Sequence, residues 1–388
     1  MVTASLPLVA VPDPAGTPSR YRVTAQLLFK ETAGRGVRIV RLQVTVTSAG
    51  GWHTTVSDDC DFAVAAMGTA NQTLTTIVDA GGPDLSVQWR LTATVVDQDG
   101  RTVDITPLET ELRLPVTAAS APDAIFVGAG DIARCDDTNT EATAKLLDRI
   151  PGTVFTLGDN VYPTSTPELL GTCYDSTWGR QKSRTLAAPG NHDWEQSAGM
   201  PYFSYFGASA GPASRGYYSY SVGSWHIVSL NSNVPAGPGS PQYEWLKEDL
   251  ADSRATCTLA MWHHPLFSSG PNGNSGQMRD AWRLLNRFGA DVVLSGHDHD
   301  YERYAPQDAD ARPGPTGIRE FVVGTGGYSL YDRASHQSNS ELWENRTWGV
   351  LKLTLKSGSY DWEFVPIDGQ SFRDFGSATC VATGNPGS

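Results

Sequence analysis

Hydrophobic and polar positions divide the chain into two halves of different character. In Tyr21–Leu27, Val37–Val46 and Ser86–Val96, the last followed by an Asp99-Gly100 turn, apolar and polar residues alternate with period two. Residues two apart share a strand face, so this pattern predicts antiparallel strands with one buried side. Several such runs within about 100 residues predict an all-β sandwich, fibronectin- or immunoglobulin-like, over 19–116. Residues 1–18, rich in Pro, Ala and Gly, read as an extended lead-in, and 114–122 as a linker.

From Ala124 the runs become continuously apolar and alternate with helical spacing. Ala124–Gly130 reads as a buried strand. A helix follows, opened by a Thr138/Glu141 capping box, with Ala142, Leu146, Leu147 and Ile150 on one face and Pro151-Gly152 as its stop. Thr153–Leu157 is the next strand, completing a βαβ unit. Further strands are predicted at Ala187–Pro189, Ser224–Leu230, Thr258–Trp262, Val292–Leu294, Phe321–Val323, Val350–Leu355 and Tyr360–Val365. Helices are predicted at Pro241–Leu250, capped by Ser240, and at Arg279–Phe288. The fold class is thus an N-terminal β-sandwich joined to an α/β domain over 124–380. In open α/β sheets ligands bind beyond the carboxyl ends of the strands.

Composition narrows the function. The chain has 388 residues and is 39% hydrophobic, enough for two globular domains. A formal charge of -13 argues against nucleic acid and anionic membranes as partners. It also opposes phosphate binding unless bound cations reverse the local field. No apolar run reaches bilayer length. Met1–Pro18 lacks the basic flank and apolar core of a signal peptide, leaving a cytoplasmic protein or one whose signal has been removed. Five cysteines form no CxxC pair. Cys135 and Cys173 flank loops expected to meet, which predicts disulfides Cys135–Cys173 and Cys257–Cys380, with Cys60 free. Such bonds favour a secreted or extracytoplasmic protein. The sequence carries no sign of oligomeric state.

The chemistry lies at the strand exits. Asp131, Asp159, Asn191, His263, His297 and His299 each follow a predicted strand, several directly after glycine, which lets backbone approach an ion. Carboxylate, carboxamide and imidazole together suit Fe, Mn or Zn rather than calcium. Six donors exceed one four-coordinate zinc but suit two metal ions sharing a carboxylate. Two ions about 3.5–4 Å apart make a clamp for displacement at phosphorus. His53, His226 and His336 lack such context and read as surface or packed residues. Aromatics at 202–206 read as core, and Gly324–Gly327 as a loop near the site.

These residues carry a resemblance. Asp131, Gly158-Asp159-Asn160-Val161-Tyr162, Gly190-Asn191-His192-Asp193, His263-His264-Pro265 and Gly296-His297-Asp298-His299 resemble the calcineurin-like metallophosphoesterases, most nearly the purple acid phosphatases. Tyr162 three residues after Asp159, and Tyr301-Glu302-Arg303 after the histidine pair, point to the latter. The resemblance implies a four-layer α/β/β/α domain. It implies Fe(III) held by Asp131, Asp159, Tyr162 and His299, with Asp159 bridging to Fe(II), Zn(II) or Mn(II) on Asn191, His263 and His297. The implied reaction is hydrolysis of small-molecule phosphate monoesters by a metal-activated hydroxide. His192 would contact the phosphoryl group or protonate the leaving oxygen. The alternative is a phosphodiesterase acting on nucleotides or phospholipid head groups with the same ions. Two departures stand out. Asp131-Ile132-Ala133 replaces the family's Asp-x-Gly, and Ser268–Asn274 lacks the histidines that usually follow His-x-Pro. His264 or Asn272 would then take the acid role.

Overall fold

The computed structural model describes residues 123–381, and before them 2–5, 8–12, 20–31, 36–48, 53–58, 62–65, 67–79, 86–104 and 108–113. The chain forms two compact units, Met1–Ala119 and Ser120–Ser388. The predicted linker and Cys60 lie outside the described residues.

The first unit is built from two antiparallel sheets. Val37–Ser48 and Ser86–Val96 pair along their length, with Leu91, Ala93 and Val95 buried at every second position, as the alternation requires. The Asp97–Gly100 turn is closed by Asp97 Oδ1, which accepts from the backbone N–H of Asp99 and Arg101 at 2.9 Å. One reading is corrected here. The supposed lead-in contains strands Val2–Ser5 and Leu8–Pro12, both paired to Arg20–Glu31. Too short to show a period of two, they take their order from the longer partner.

The second unit has two mixed sheets. One runs 185–188, 153–157, 124–129, 349–356, 359–366, 375–379, with the first three strands parallel. The other runs 218–222, 225–229, 257–261, 292–295, 319–323, 301–304, 340–344, with its four central strands parallel. Alternate residues of the second sheet face opposite ways. Ile227, Leu259, Met261, Val292, Leu294, Phe321 and Val323 join the first sheet's Phe126, Phe155, Leu351 and Leu353 in one buried cluster. Val228, Ala260, Trp262, Val293 and Val322 pack instead with Leu246 and Leu250 of helix Pro241–Asp252 and Trp282 and Leu285 of helix Arg279–Arg287. Sheet therefore packs on sheet, and helices cover the outside, giving four layers.

Helix Thr138–Arg149 starts one residue earlier than its sequence signal. Asp137, extended at φ -107°, accepts from Asn139 N–H at 2.8 Å and is the true N-cap. Glu141 instead pairs with Arg180 at 2.8 Å. Residues 200–206 form a short helix whose Tyr202, Phe203 and Phe206 are core. Both predicted disulfides are present, Cys135–Cys173 and Cys257–Cys380.

Candidate metal centre

The parallel strands of both sheets, three in the first and four in the second, end at one edge of the sandwich, and the two edges are hydrogen-bonded across. Gly130 N–H donates to Val323 O at 2.8 Å, and Gly326 N–H to Gly130 O at 2.9 Å. The backbone that leaves these strands is strained. Asp131, Asp159 and His297 adopt φ of 60°, 49° and 69°, a region that costs L-residues about 1–3 kcal/mol each and recurs at functional sites. Two glycines are required beside them. Gly158 has φ 88°, and a Cβ there would lie 2.5 Å from Gly190 N. A Cβ on Gly190 would lie 2.0 Å from Asp159 Oδ1.

The side chains gather in two groups that share Asp159. The Tyr162 hydroxyl donates to Asp131 Oδ1 at 2.8 Å and Asp159 Oδ2 at 3.1 Å, and lies 3.1 Å from His299 Nε2. His263 Nε2 lies 3.2 Å from Asp159 Oδ2, 3.1 Å from Asn191 Oδ1 and 3.2 Å from His297 Nδ1. A carbonyl can only accept, so the contacts of His263 Nδ1 with Leu157 O at 2.7 Å and of His299 Nδ1 with Ser329 O at 2.8 Å assign the proton to Nδ1. In the neutral ring each Nε2 then offers a lone pair to its group. Asp131 and Asp159 are essentially fully buried.

This donor set fits two cations. Lone pairs of an imidazole, a carboxamide and a carboxylate face one another at hydrogen-bond distance, an arrangement that repels unless a positive charge sits between them. The electrostatics among these side chains say the same. Burial would lower His263, but the Asp159 carboxylate pushes it up to about 9. Burial would raise Asp159, but His263 and His192 hold it well below the usual carboxylate range. Burial, then the carboxylates of Asp131 and Asp159, push the Tyr162 hydroxyl well above its ordinary value. A cation beside Oη would reverse the carboxylate effect.

All seven predicted metal residues come together. His192 lies at the rim, its side chain 31% exposed, with Nδ1 donating to Pro163 O at 2.7 Å and Nε2 3.8 Å from Asp159 Oδ2. The His264 ring packs against His297 at 4.3 Å, tilted by 54°, and contacts the Ser232 hydroxyl through Nδ1 at 2.8 Å. Burial and the neighbouring His263 and His297 push it down to about 2, so it stays neutral. Asn272 is tied to the backbone, Nδ2–H donating to His297 O at 2.9 Å. Its loop wraps Asp298, which accepts from Asn272 N–H at 2.9 Å, Gly273 N–H at 3.2 Å and the Ser268 hydroxyl. Ala133 takes the place of the family's glycine at no evident cost, since it is buried and pairs with Asn160 and Tyr162 through backbone alone.

Sequence reading missed the supporting shell. Asp193 accepts from Gly190 N–H and Asn160 Nδ2–H, each at 2.9 Å, and locks the Asn191 turn to the Asp159 turn. Its place in the Gly-Asn-His-Asp motif was the available signal. Tyr328 and Tyr331, stacked on Tyr162 and His299, had none beyond the neighbouring glycine-rich loop.

Comparison with known proteins gives a likeness of family and fold. Residues 125–301 match the calcineurin-like phosphoesterase family. Purple acid phosphatase 15 of Arabidopsis thaliana is 28% identical over 253 residues, covering 55% of this chain and 47% of its own. Purple acid phosphatase 21 of the same plant is 38% identical over 117 residues, 29% of this chain and 26% of its own. The chain spans about half the length, or less, of the curated relatives it matches. A purple acid phosphatase from yellow lupin (Lupinus luteus) seeds superposes with TM-score 0.57 at 18% identity, over 92% of this chain and 72% of that one, and so shares its fold. Over residues 125–301 the α/β unit is therefore similar to the calcineurin-like phosphoesterases. Within that class the chain's likeness is to the purple acid phosphatases.

Proposed function

We propose that the protein is a two-metal hydrolase of phosphate monoesters. The observation that carries this reading is the meeting of seven donor side chains from separate strand ends in two groups joined by one buried carboxylate. Asp131, Asp159, Tyr162 and His299 would hold one ion, and Asp159, Asn191, His263 and His297 the other. The phenol of Tyr162, a hard anionic oxygen once deprotonated, favours Fe(III) at the first position. Fe(II), Zn(II) or Mn(II) suits the second. Ions held there supply polarisation of phosphoryl oxygens and lower the pKa of water.

The chain's own residues do the rest. Leu157 O and Ser329 O fix the two imidazoles with Nε2 inward. His192 keeps its Nδ1 proton on Pro163 O, so a second proton would sit on Nε2 at the rim, placed for a leaving oxygen. His264, neutral and bound to Ser232, braces His297 rather than supplying a proton. With two disulfides, and with no helix of the described residues long and apolar enough to cross a membrane, the reading includes an oxidising, extracytoplasmic setting.

Turnover of p-nitrophenyl phosphate against its bis-ester tests the substrate class. The monoester is expected to be the better substrate, and a marked preference for the bis-ester would make the protein a diesterase. An Fe(III)–tyrosinate absorption band should be present and vanish in Tyr162→Phe; a colourless zinc or manganese protein would reject the iron assignment.

A further inference from the structure

The segment Tyr328–Tyr331 lies on one side of the centre only. The Tyr328 ring stacks on Tyr162 at 4.0 Å and 12°, and Tyr331 on His299 at 3.8 Å and 15°. The backbone between them is pinned to the same residues. Tyr328 N–H donates to Asp131 O at 3.0 Å, Tyr331 N–H to His299 O at 2.9 Å, and Ser329 O accepts from His299 Nδ1 at 2.8 Å. Tyr328, Ser329 and Tyr331 thus touch Asp131, Tyr162 and His299, the three candidate ligands that are not shared with the second position. Among the described residues, their hydrogen bonds and ring contacts reach none of Asn191, His263 or His297. His263 is instead held by Leu157 O, by Asn191 Oδ1 and by the rings of His264 and His297, which also pack on each other.

We propose that Tyr328 and Tyr331 are positioning residues for the tyrosine-side ion alone, setting its affinity and spectrum independently of the second ion. The inference rests on the two-ion reading above. The physical reason is rotational. Turning His299 about its Cβ–Cγ bond swings Nε2 out of the group, and a parallel ring against its face opposes that turn. A shift of the Tyr162 ring moves Oη away from Asp131, and Tyr328 blocks the shift. Partners that orient ligands in this way are worth about 10–100-fold in metal affinity. Stacking needs a ring but no hydroxyl, so phenylalanine should serve where leucine does not.

The test uses the full chain as purified, with Leu and Phe substitutions at 328 and 331. Metal content per chain is followed during dialysis against increasing EDTA, together with the visible absorption band. Tyr328→Leu and Tyr331→Leu should release one ion at about 10–100-fold lower chelator than the parent, shifting or bleaching the band, while the second ion stays. Tyr328→Phe and Tyr331→Phe should match the parent. Both rings are partly exposed, and Tyr328→Met or Tyr331→Met, which refills volume without a ring, stands in if a leucine variant does not fold. Leucine variants with the parent's release curve and band, or variants that lose both ions together, would overturn the proposal. A parent chain that holds fewer than two ions would overturn the two-ion reading itself, before any substitution is compared.

Discussion

Three of the seven candidate ligands, Asp131, Asp159 and His297, sit in left-handed backbone. Strain of that kind persists only where surroundings dictate it. Here the dictating groups are Gly190 N–H on Asp193, His192 N–H on Asp159 Oδ1 at 2.9 Å and His297 N–H on Asp131 Oδ2 at 2.8 Å. The His192 imidazole, with Nε2 3.8 Å from Asp159 Oδ2, stands beyond hydrogen-bond reach of that carboxylate, which separates its role from the ligands'. His192→Ala should lower kcat by about 10²–10⁴-fold with metal content unchanged, read by steady-state kinetics and elemental analysis. Loss of metal with activity would instead make it part of the cage. The ligands were legible because polar residues that follow apolar strands have few other reasons to be there. Tyr328 and Tyr331 were not, because an aromatic residue in a loop looks the same whether it stacks on a ligand or on the core. Their partners Tyr162 and His299 are remote in sequence.

Among the elements, strand Tyr301–Tyr304 and strand Arg319–Val323 carry buried acids that fasten the loop after His263. Glu320 accepts from Leu266 N–H at 3.2 Å, Phe267 N–H at 3.1 Å and the Ser295 hydroxyl at 3.1 Å. Glu302 accepts from Ser269 N–H at 2.8 Å and the Tyr304 hydroxyl at 2.8 Å. Burial pushes Glu320 up to about 8. Its folded value lies above the unfolded one, so the folded state holds the proton more tightly. The associated stability is complete below the ordinary glutamate range and is lost as pH rises toward 8. In chelator-treated protein the urea midpoint should therefore fall between pH 5 and about pH 8.5, and Glu320→Gln should flatten that fall; an equal slope in both would remove Glu320 as its source. Helices and central strands were readable because their periods run for many residues. The strands at 2–5, 8–12 and 301–304 were not, since four or five residues carry no period and their pairing is set by a distant partner. The cap at Asp137 was missed because Thr138 offered an equally good signal one position on.

Taken whole, the α/β unit is two sheets held together by a shared core, backbone hydrogen bonds across the edge that carries the candidate ligands, and one covalent link. Cys257 begins a strand of the second sheet, and Cys380 follows the outermost strand of the first, 123 positions later. Closing so long a loop is worth about 4–5 kcal/mol. Replacing both cysteines by serine should lower the unfolding free energy by a comparable amount in urea titration, and an unchanged midpoint would show that the sheets do not need the link. The net charge of -13 looked wrong for a phosphate-binding protein in the sequence, and the two proposed cations would resolve it by making the acidic pocket that holds them locally positive. Anomalous scattering from crystals grown with added iron and zinc tests that claim most directly. The account predicts two peaks about 3.5–4 Å apart on either side of the Asp159 carboxylate, one beside Tyr162 Oη and one beside His263 Nε2. No peak there, or a single peak with Tyr162 and His299 turned away, would contradict it.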